Sequence, residues 1–158
     1  PFDCHTTVVR RSSAAFAGAD HTVTVDLLDD VLPLTDILVL ALALTRETTG
    51  IIDSHRMGLL PDDAWIVNVA RGGHVVTEDL VAALTERSIG GAALDVTDPE
   101  PLPDDHPLWS LPNCLITPHI GNTPEMGLAL LTPFVEENVR RFVEHRDLLA
   151  TVDVALGY

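Results

Sequence analysis

DILVLAL at residues 36–42 and AWIVNVAR at residues 64–71 are almost continuously apolar, with none of the alternation of a strand that faces water on one side. Runs of that kind read as strands of a parallel sheet covered on both faces. Each is followed by helical spacing. Residues 53–60 carry Asp53 as an N-cap, and Pro61-Asp62-Asp63 then turns the chain. Residues 77–87 place Thr77 as the cap, Glu78 and Asp79 in the first turn, and Leu80, Ala83 and Leu84 on one stripe. Outward from these, residues 6–10, 21–25, 91–96 and 114–117 read as further strands and residues 26–34 as a helix. A Thr-Pro-Glu start at Thr123 opens a long helix to about residue 144, in which Thr132-Pro133 predicts a kink or a fresh start. The tail TVDVALGY reads as extended. Strands alternating with helices in this way give an α/β fold with a doubly wound, mostly parallel sheet.

Composition narrows the function. The 158 residues suffice for one domain with a real core. The net charge is −15, with 24 acids against nine arginines and no lysine. Such a surface lacks the basic patch that nucleic acid or an anionic membrane requires, so neither is expected as a partner. No apolar run reaches the roughly 18 residues of a membrane span, and no secretory leader precedes the first strand, so a cytoplasmic location is expected. The chain opens on Pro1 rather than Met, which reads as a fragment or a processed product. Cys4 and Cys114 are isolated and form neither a disulfide framework nor a metal site; Cys114, opening the run CLIT, reads as a buried, inert thiol.

Three residues carry the chemistry. Arg71 closes AWIVNVAR, Glu100 follows AALDVTDPE in a proline-rich loop, and His119 closes CLITPH. Each sits at the end of a strand, where open α/β sheets present functional groups. A fixed cation, an acid and an imidazole in one crevice suit a carboxylate substrate undergoing acid/base chemistry. His5, His21, His55, His74, His106 and His145 have no ligand-like spacing and read as surface residues, and Trp65 and Trp109 as packing residues.

DILVLALALTRETTGII, WIVNVARGG, LVAAL, GGAALDVTDPEPLP and LPNCLITPHIG, in this order, resemble the D-isomer-specific 2-hydroxyacid dehydrogenases over about residues 27–138. The resemblance implies a Rossmann nucleotide-binding domain, here residues 1–122, with residues 123–158 forming the crossover helix and C-terminal piece of a substrate domain. It implies an NAD(P)-dependent oxidoreductase moving a hydride between NAD or NADP and a 2-hydroxy or 2-keto acid, and a homodimer in the intact protein. Residue by residue, it implies that Arg71 binds the substrate carboxylate and that His119 is the general acid/base at the substrate oxygen. Glu100 hydrogen-bonds His119 and favours its protonated form. Asp95 contacts the nicotinamide carboxamide, and the backbone of Ala43, Leu44, Thr45, Asn68, Val69 and Ala70, with Gly121, lines the cofactor.

The departures from that family carry expectations too. Its GxGxxG turn and the strand before it are absent, and that strand lies at the centre of the sheet, so two strand edges are expected to stand open. Weak cofactor binding and no useful turnover follow for these 158 residues taken alone. Arg10-Arg11-Ser12 stands where many NAD users carry an acid for the ribose 2′-hydroxyl, and arginines there can receive a 2′-phosphate, which admits NADP. Ala43 and Arg46 replace prolines expected in the loop ALALTRET, predicting a looser loop. The competing reading is a non-catalytic remnant or dinucleotide-binding module. A formate-oxidising relative is disfavoured, because formate has no carbonyl oxygen to protonate and Glu100 would have no task.

Overall fold

The computed structural model describes residues 3–154. Two short strands, β1 (Thr7–Arg10) and β2 (His21–Thr24), pair in parallel. A helical stretch follows that is α-helical only over α1 (Leu28–Val31) and 3-10 on either side, at Val25–Leu27 and Leu32–Leu34. The single helix expected over residues 26–34 is thus a composite, with Pro33 in its last turn. β3 (Ile37–Leu40) leads through a long loop to α2 (Ser54–Met57), which Asp53 caps by accepting the Arg56 amide at 3.0 Å. β4 (Trp65–Asn68), α3 (Thr77–Glu86), β5 (Gly91–Leu94), β6 (Cys114–Ile116) and α4 (Pro124–Val143) complete the chain.

The strands form a two-stranded sheet, β1-β2, and a separate four-stranded sheet in the order β3-β4-β5-β6, parallel throughout. This is the Rossmann-like α/β architecture, and its division in two leaves β3 at an edge. An open face of this larger sheet explains one correction. The run at residues 36–42 reads as buried on both faces, yet Ile37 and Val39 are 60% and 56% exposed. They share one face of the pleat with Trp65 and Leu115, also exposed, which no described element covers, while Leu40 is buried. Of the interior strands, β5 is buried at Gly91, Ala92 and Leu94, whereas β4, also expected to be buried, leaves Trp65 exposed; its ring packs over Gly91, its partner in register, where a Cβ would come within 2.7 Å of the indole.

The core gathers Leu28 and Leu32 with Ile52, Met57, Ile66, Leu80, Leu84, Ile89 and Leu108. The stripe Leu80, Ala83 and Leu84 of α3 is buried as its spacing requires. Thr77 is not the cap of α3. Val76 takes that position, and the Thr77 hydroxyl donates instead to the Asp98 carbonyl at 2.6 Å. Cys114 is half-buried rather than buried, although burial still pushes its thiol up to about 11.

α4 runs without interruption from Pro124 to Val143, through Pro133. No fresh start occurs, because one proline removes a single i→i−4 bond while the turns on either side keep theirs. Thr123 accepts the Met126 amide at 3.4 Å at one end. At the other end Glu137 holds Arg140, Arg141 (2.8 Å) and Arg146 (3.3 Å), which keeps its carboxyl below the usual range. α4 buries none of its residues. The expected extended tail has no regular structure at residues 151–153, and residues 155–158 lie outside the described residues.

Candidate active site

Because β3 to β6 are parallel and in register, their C-terminal ends lie along one edge. Leu40 pairs with Asn68, Asn68 with Leu94 and Leu94 with Ile116. The chain just beyond this line contains residues 41–45, Val69–Arg71, Asp95 and residues 117–121. Strand spacing sets the turns after β4 and β6 roughly 10 Å apart.

The turn after β4 is shaped by Asn68. Its buried side chain accepts the Ala70 amide at 3.0 Å and donates to the Arg71 carbonyl at 2.9 Å. Gly72 then meets the loop after β5 backbone to backbone, since a Cβ there would sit 2.0 Å from the Thr97 carbonyl carbon. Arg71 is thereby seated on the loop that carries Glu100. Its own side chain is exposed, and Nη1 donates to the Ala70 carbonyl at 2.6 Å.

Glu100 and His119 are in direct contact, with His119 Nδ1 2.6 Å from Glu100 Oε1. Both side chains are partly exposed. A carboxylate accepts only, so Nδ1 carries the proton, and Nε2 has no hydrogen-bond partner among the described residues. His119 has φ +53°, in the left-handed region that few residues other than glycine adopt. Such a backbone persists where its surroundings over-determine it. Asp95 supplies this constraint. Oδ1 accepts the Thr117 hydroxyl at 2.5 Å and the Ile120 amide at 3.0 Å, and Oδ2 accepts the Gly121 amide at 2.8 Å. The bonds lie on both sides of His119 and hold the Asp95 carboxyl below the usual range, the Thr117 hydroxyl contributing most. Asp95 therefore has a structural task in the His119 turn that its expected cofactor contact did not suggest. Arg71 is bonded to neither Glu100 nor His119; all three share the same sheet edge.

The profile of the D-isomer specific 2-hydroxyacid dehydrogenase NAD-binding domain matches residues 1–121. The chain belongs to this family. A glyoxylate/hydroxypyruvate reductase A from Salmonella paratyphi B is 36% identical over 148 residues, which is 94% of this chain and 47% of that protein. A probable 2-hydroxyacid dehydrogenase from Rhizobium etli, solved with NADP, HEPES and tartaric acid, superposes with a TM-score of 0.86 at 36% identity, covering 98% of this chain and 49% of its own. An NADPH-dependent glyoxylate/hydroxypyruvate reductase from Sinorhizobium meliloti, solved with NADP and sulfate, gives 0.87 at 32% identity, covering 96% and 49%. The chain thus spans about half the length of the relatives it matches.

Within this dehydrogenase family the loop after β3 was expected to be loose for want of prolines. It is instead wired internally. The Thr48 hydroxyl donates to the Ala43 carbonyl at 2.8 Å and accepts the Thr45 amide at 2.8 Å, and both the Thr49 amide and hydroxyl bond the Thr45 carbonyl. His74 is fully buried against this loop, not on the surface. Its ring nitrogens lie 3.1 Å and 3.2 Å from the Thr48 and Leu42 carbonyls, and such partners make burial of a polar ring tolerable. His106 is half-buried too, its Nδ1 accepting the Leu108 amide at 3.3 Å. Arg10 ends β1 and is exposed, as is Arg11 just beyond it.

The residues at the sheet edge fit the nicotinamide end of NAD(P). Leu44, Val69 and Ile120 expose apolar side chains, and the Asp95 carboxylate that holds the Ile120 and Gly121 amides is buried, a pairing of apolar surface and acceptor that suits a flat ring bearing a carboxamide.

Proposed function

We propose that the chain is the nucleotide-binding portion of an NAD(P)H-dependent reductase of small 2-keto acids, glyoxylate and hydroxypyruvate being the first candidates, or a dehydrogenase of the matching 2-hydroxy acids. The observation that carries this reading is the 2.6 Å contact between His119 Nδ1 and Glu100 Oε1 at the strand-end edge that also carries Arg71. When bound, the nicotinamide supplies or accepts the hydride. Arg71 grips the substrate carboxylate through its planar fork, which sets C2 and its oxygen in place. His119 Nε2 passes a proton to that oxygen on reduction and takes it back on oxidation. Glu100, accepting from Nδ1, fixes the ring orientation and stabilises the charge the ring carries. The αL backbone of His119, clamped by Asp95, aims the ring. Asp95, the Ala43–Thr45 and Asn68–Ala70 backbone and Gly121 line the nucleotide, and Arg10 and Arg11 receive a 2′-phosphate, favouring NADP.

The same proposal assigns residues 1–122 to the nucleotide-binding domain and residues 123–158 to the crossover and C-terminal piece of a substrate domain. In support, α4 buries no residue against the sheet. Its exposed Leu128, Leu130, Leu131 and Phe142 also support homodimerisation, or contact with the rest of the substrate domain. A cytoplasmic site of action belongs to the proposal. Among the described residues no helix is long and apolar enough to cross a membrane.

The decisive experiment is His119→Asn in the intact protein, with NADPH-dependent glyoxylate reduction and NADPH binding measured together. Reduction falls by roughly 10²–10⁴-fold, the usual worth of a general acid, while nucleotide affinity holds. Retained reduction would sink the reading. The division of the sheet favours a second reading, a nucleotide-binding module without turnover, for which binding would persist and the substitution would change nothing.

A further inference from the structure

His74 is a buried titratable residue to which the reaction gives no task. It belongs to the short Gly72–His74 turn that follows Arg71. Its two ring nitrogens lie on the carbonyls of Leu42 and Thr48, at 3.2 Å and 3.1 Å, which bracket the first half of the loop after β3. The main chain of the same turn continues this lacing. Gly73 and His74 offer their carbonyls to the Gly50 and Ile52 amides at 2.8 Å and 2.9 Å. Between these two contacts Ala43 and Leu44 are exposed, the Leu44 side chain lying beside Gly73, and the Thr45–Thr48 bonds close the segment on itself.

A purely space-filling residue here would be apolar; it would leave the Leu42 carbonyl without this donor and the Thr48 carbonyl with only the Ile51 amide, at 3.3 Å. The loop holds no proline or glycine before Gly50, so its shape has to come from such bonds rather than from restricted backbone angles. We propose that His74 is a positioning residue for the nucleotide. It holds the segment 42–48 in the shape that receives the nicotinamide half of the cofactor and ties that shape to the turn bearing Arg71. The inference rests on the reading above that Ala43, Leu44 and Thr45 line the nucleotide. A neutral ring donates to one of the two carbonyls at a time, so even the single bonded form keeps one end of that segment fixed.

The test compares wild type, His74→Leu and His74→Gln in the intact protein. Leucine removes the ring's donor; the glutamine amide nitrogen, which overlays Nε2, can restore a bond to the Leu42 carbonyl. If the receptive loop shape drops to about a tenth of the population, nucleotide affinity falls about tenfold. The expected result for His74→Leu is a KM for NADPH raised about tenfold with the KM for the keto acid unchanged, and recovery of part of that loss by His74→Gln. A merely structural residue would instead reduce the amount of active protein, lowering apparent kcat and leaving both KM values alone, which would overturn the inference. Should His74→Leu not fold, the wild type decides. Saturating NADPH slows exchange of the His74 ring N–H if the ring and the nucleotide hold the same loop, and an unchanged rate overturns it. A wild type that binds NADPH normally, with His74→Leu equal to it, removes this inference alone; a wild type that binds neither NADPH nor NADH removes the functional reading with it.

Discussion

Asp95 Oδ2 accepts the Gly121 amide at 2.8 Å, and a Cβ on residue 121 would come within 2.9 Å of that same oxygen. Position 121 is therefore fitted to the carboxylate in two ways, by its donor and by its lack of a side chain. The His119 turn depends on both.

Asp95→Asn turns one acceptor oxygen into a donor facing hydrogen-bond donors. The His119 turn loosens, and kcat is expected to fall about 10- to 100-fold, as for a displacement of order 1 Å at the reacting group. The pH dependence has a definite sign. The folded-state pKa of Asp95 is lowered, so its contribution to stability is complete above the unfolded value, about 3.9, and is lost as pH falls through the folded one. Thermal denaturation of wild type and Asp95→Asn should differ most near neutral pH and converge below about pH 4. A gap that stayed constant into acid would refute the clamp.

Arg10→Ser with Arg11→Ser should erase any preference for NADPH over NADH. Losing one or two charge-assisted bonds to a 2′-phosphate raises the KM for NADPH about 10- to 100-fold and leaves that for NADH unchanged. Equal effects on both nucleotides would show that the pair does not read the phosphate.

Gly72→Ala should be among the most damaging single-methyl substitutions in the chain. Its Cβ would meet the backbone of Thr97 and Asp98 rather than the tip of a flexible side chain, so a strand-end loop must move. A loss of about 3 kcal/mol, read as a lowered Tm or loss of soluble protein, is expected. Gly58→Ala, whose nearest contact is 3.3 Å away, provides the mild comparison.

Periodicity showed α3 and its stripe, and the apolar runs located β3, β4, β5 and β6, because both signals come from the chain's own apolar residues. The Glu100–His119 pair was visible through motif resemblance, since its members are side chains of fixed chemistry at characteristic places. His74 was not. Its partners are backbone carbonyls, which carry no residue identity, so a histidine after two glycines offered no sign that Leu42 and Thr48 wait for it. Exposure of Ile37 and Val39 was hidden for a related reason: whether a strand's face is covered depends on what packs against it, not on its own residues. Pro133 misled in the opposite direction, as a local breaker signal outweighed by the turns around it.

The seat of Trp65 over Gly91 has an experimental use. The chain has only two tryptophans, and the other, Trp109, donates its indole N–H to the Pro103 carbonyl at 2.8 Å in the loop beyond Glu100. One indole thus lies across the β4–β5 pairing and the second in the loop after it. Single Trp→Phe replacements would leave each variant with one intrinsic fluorophore, so that sheet opening and loop rearrangement could be timed separately, without a dye.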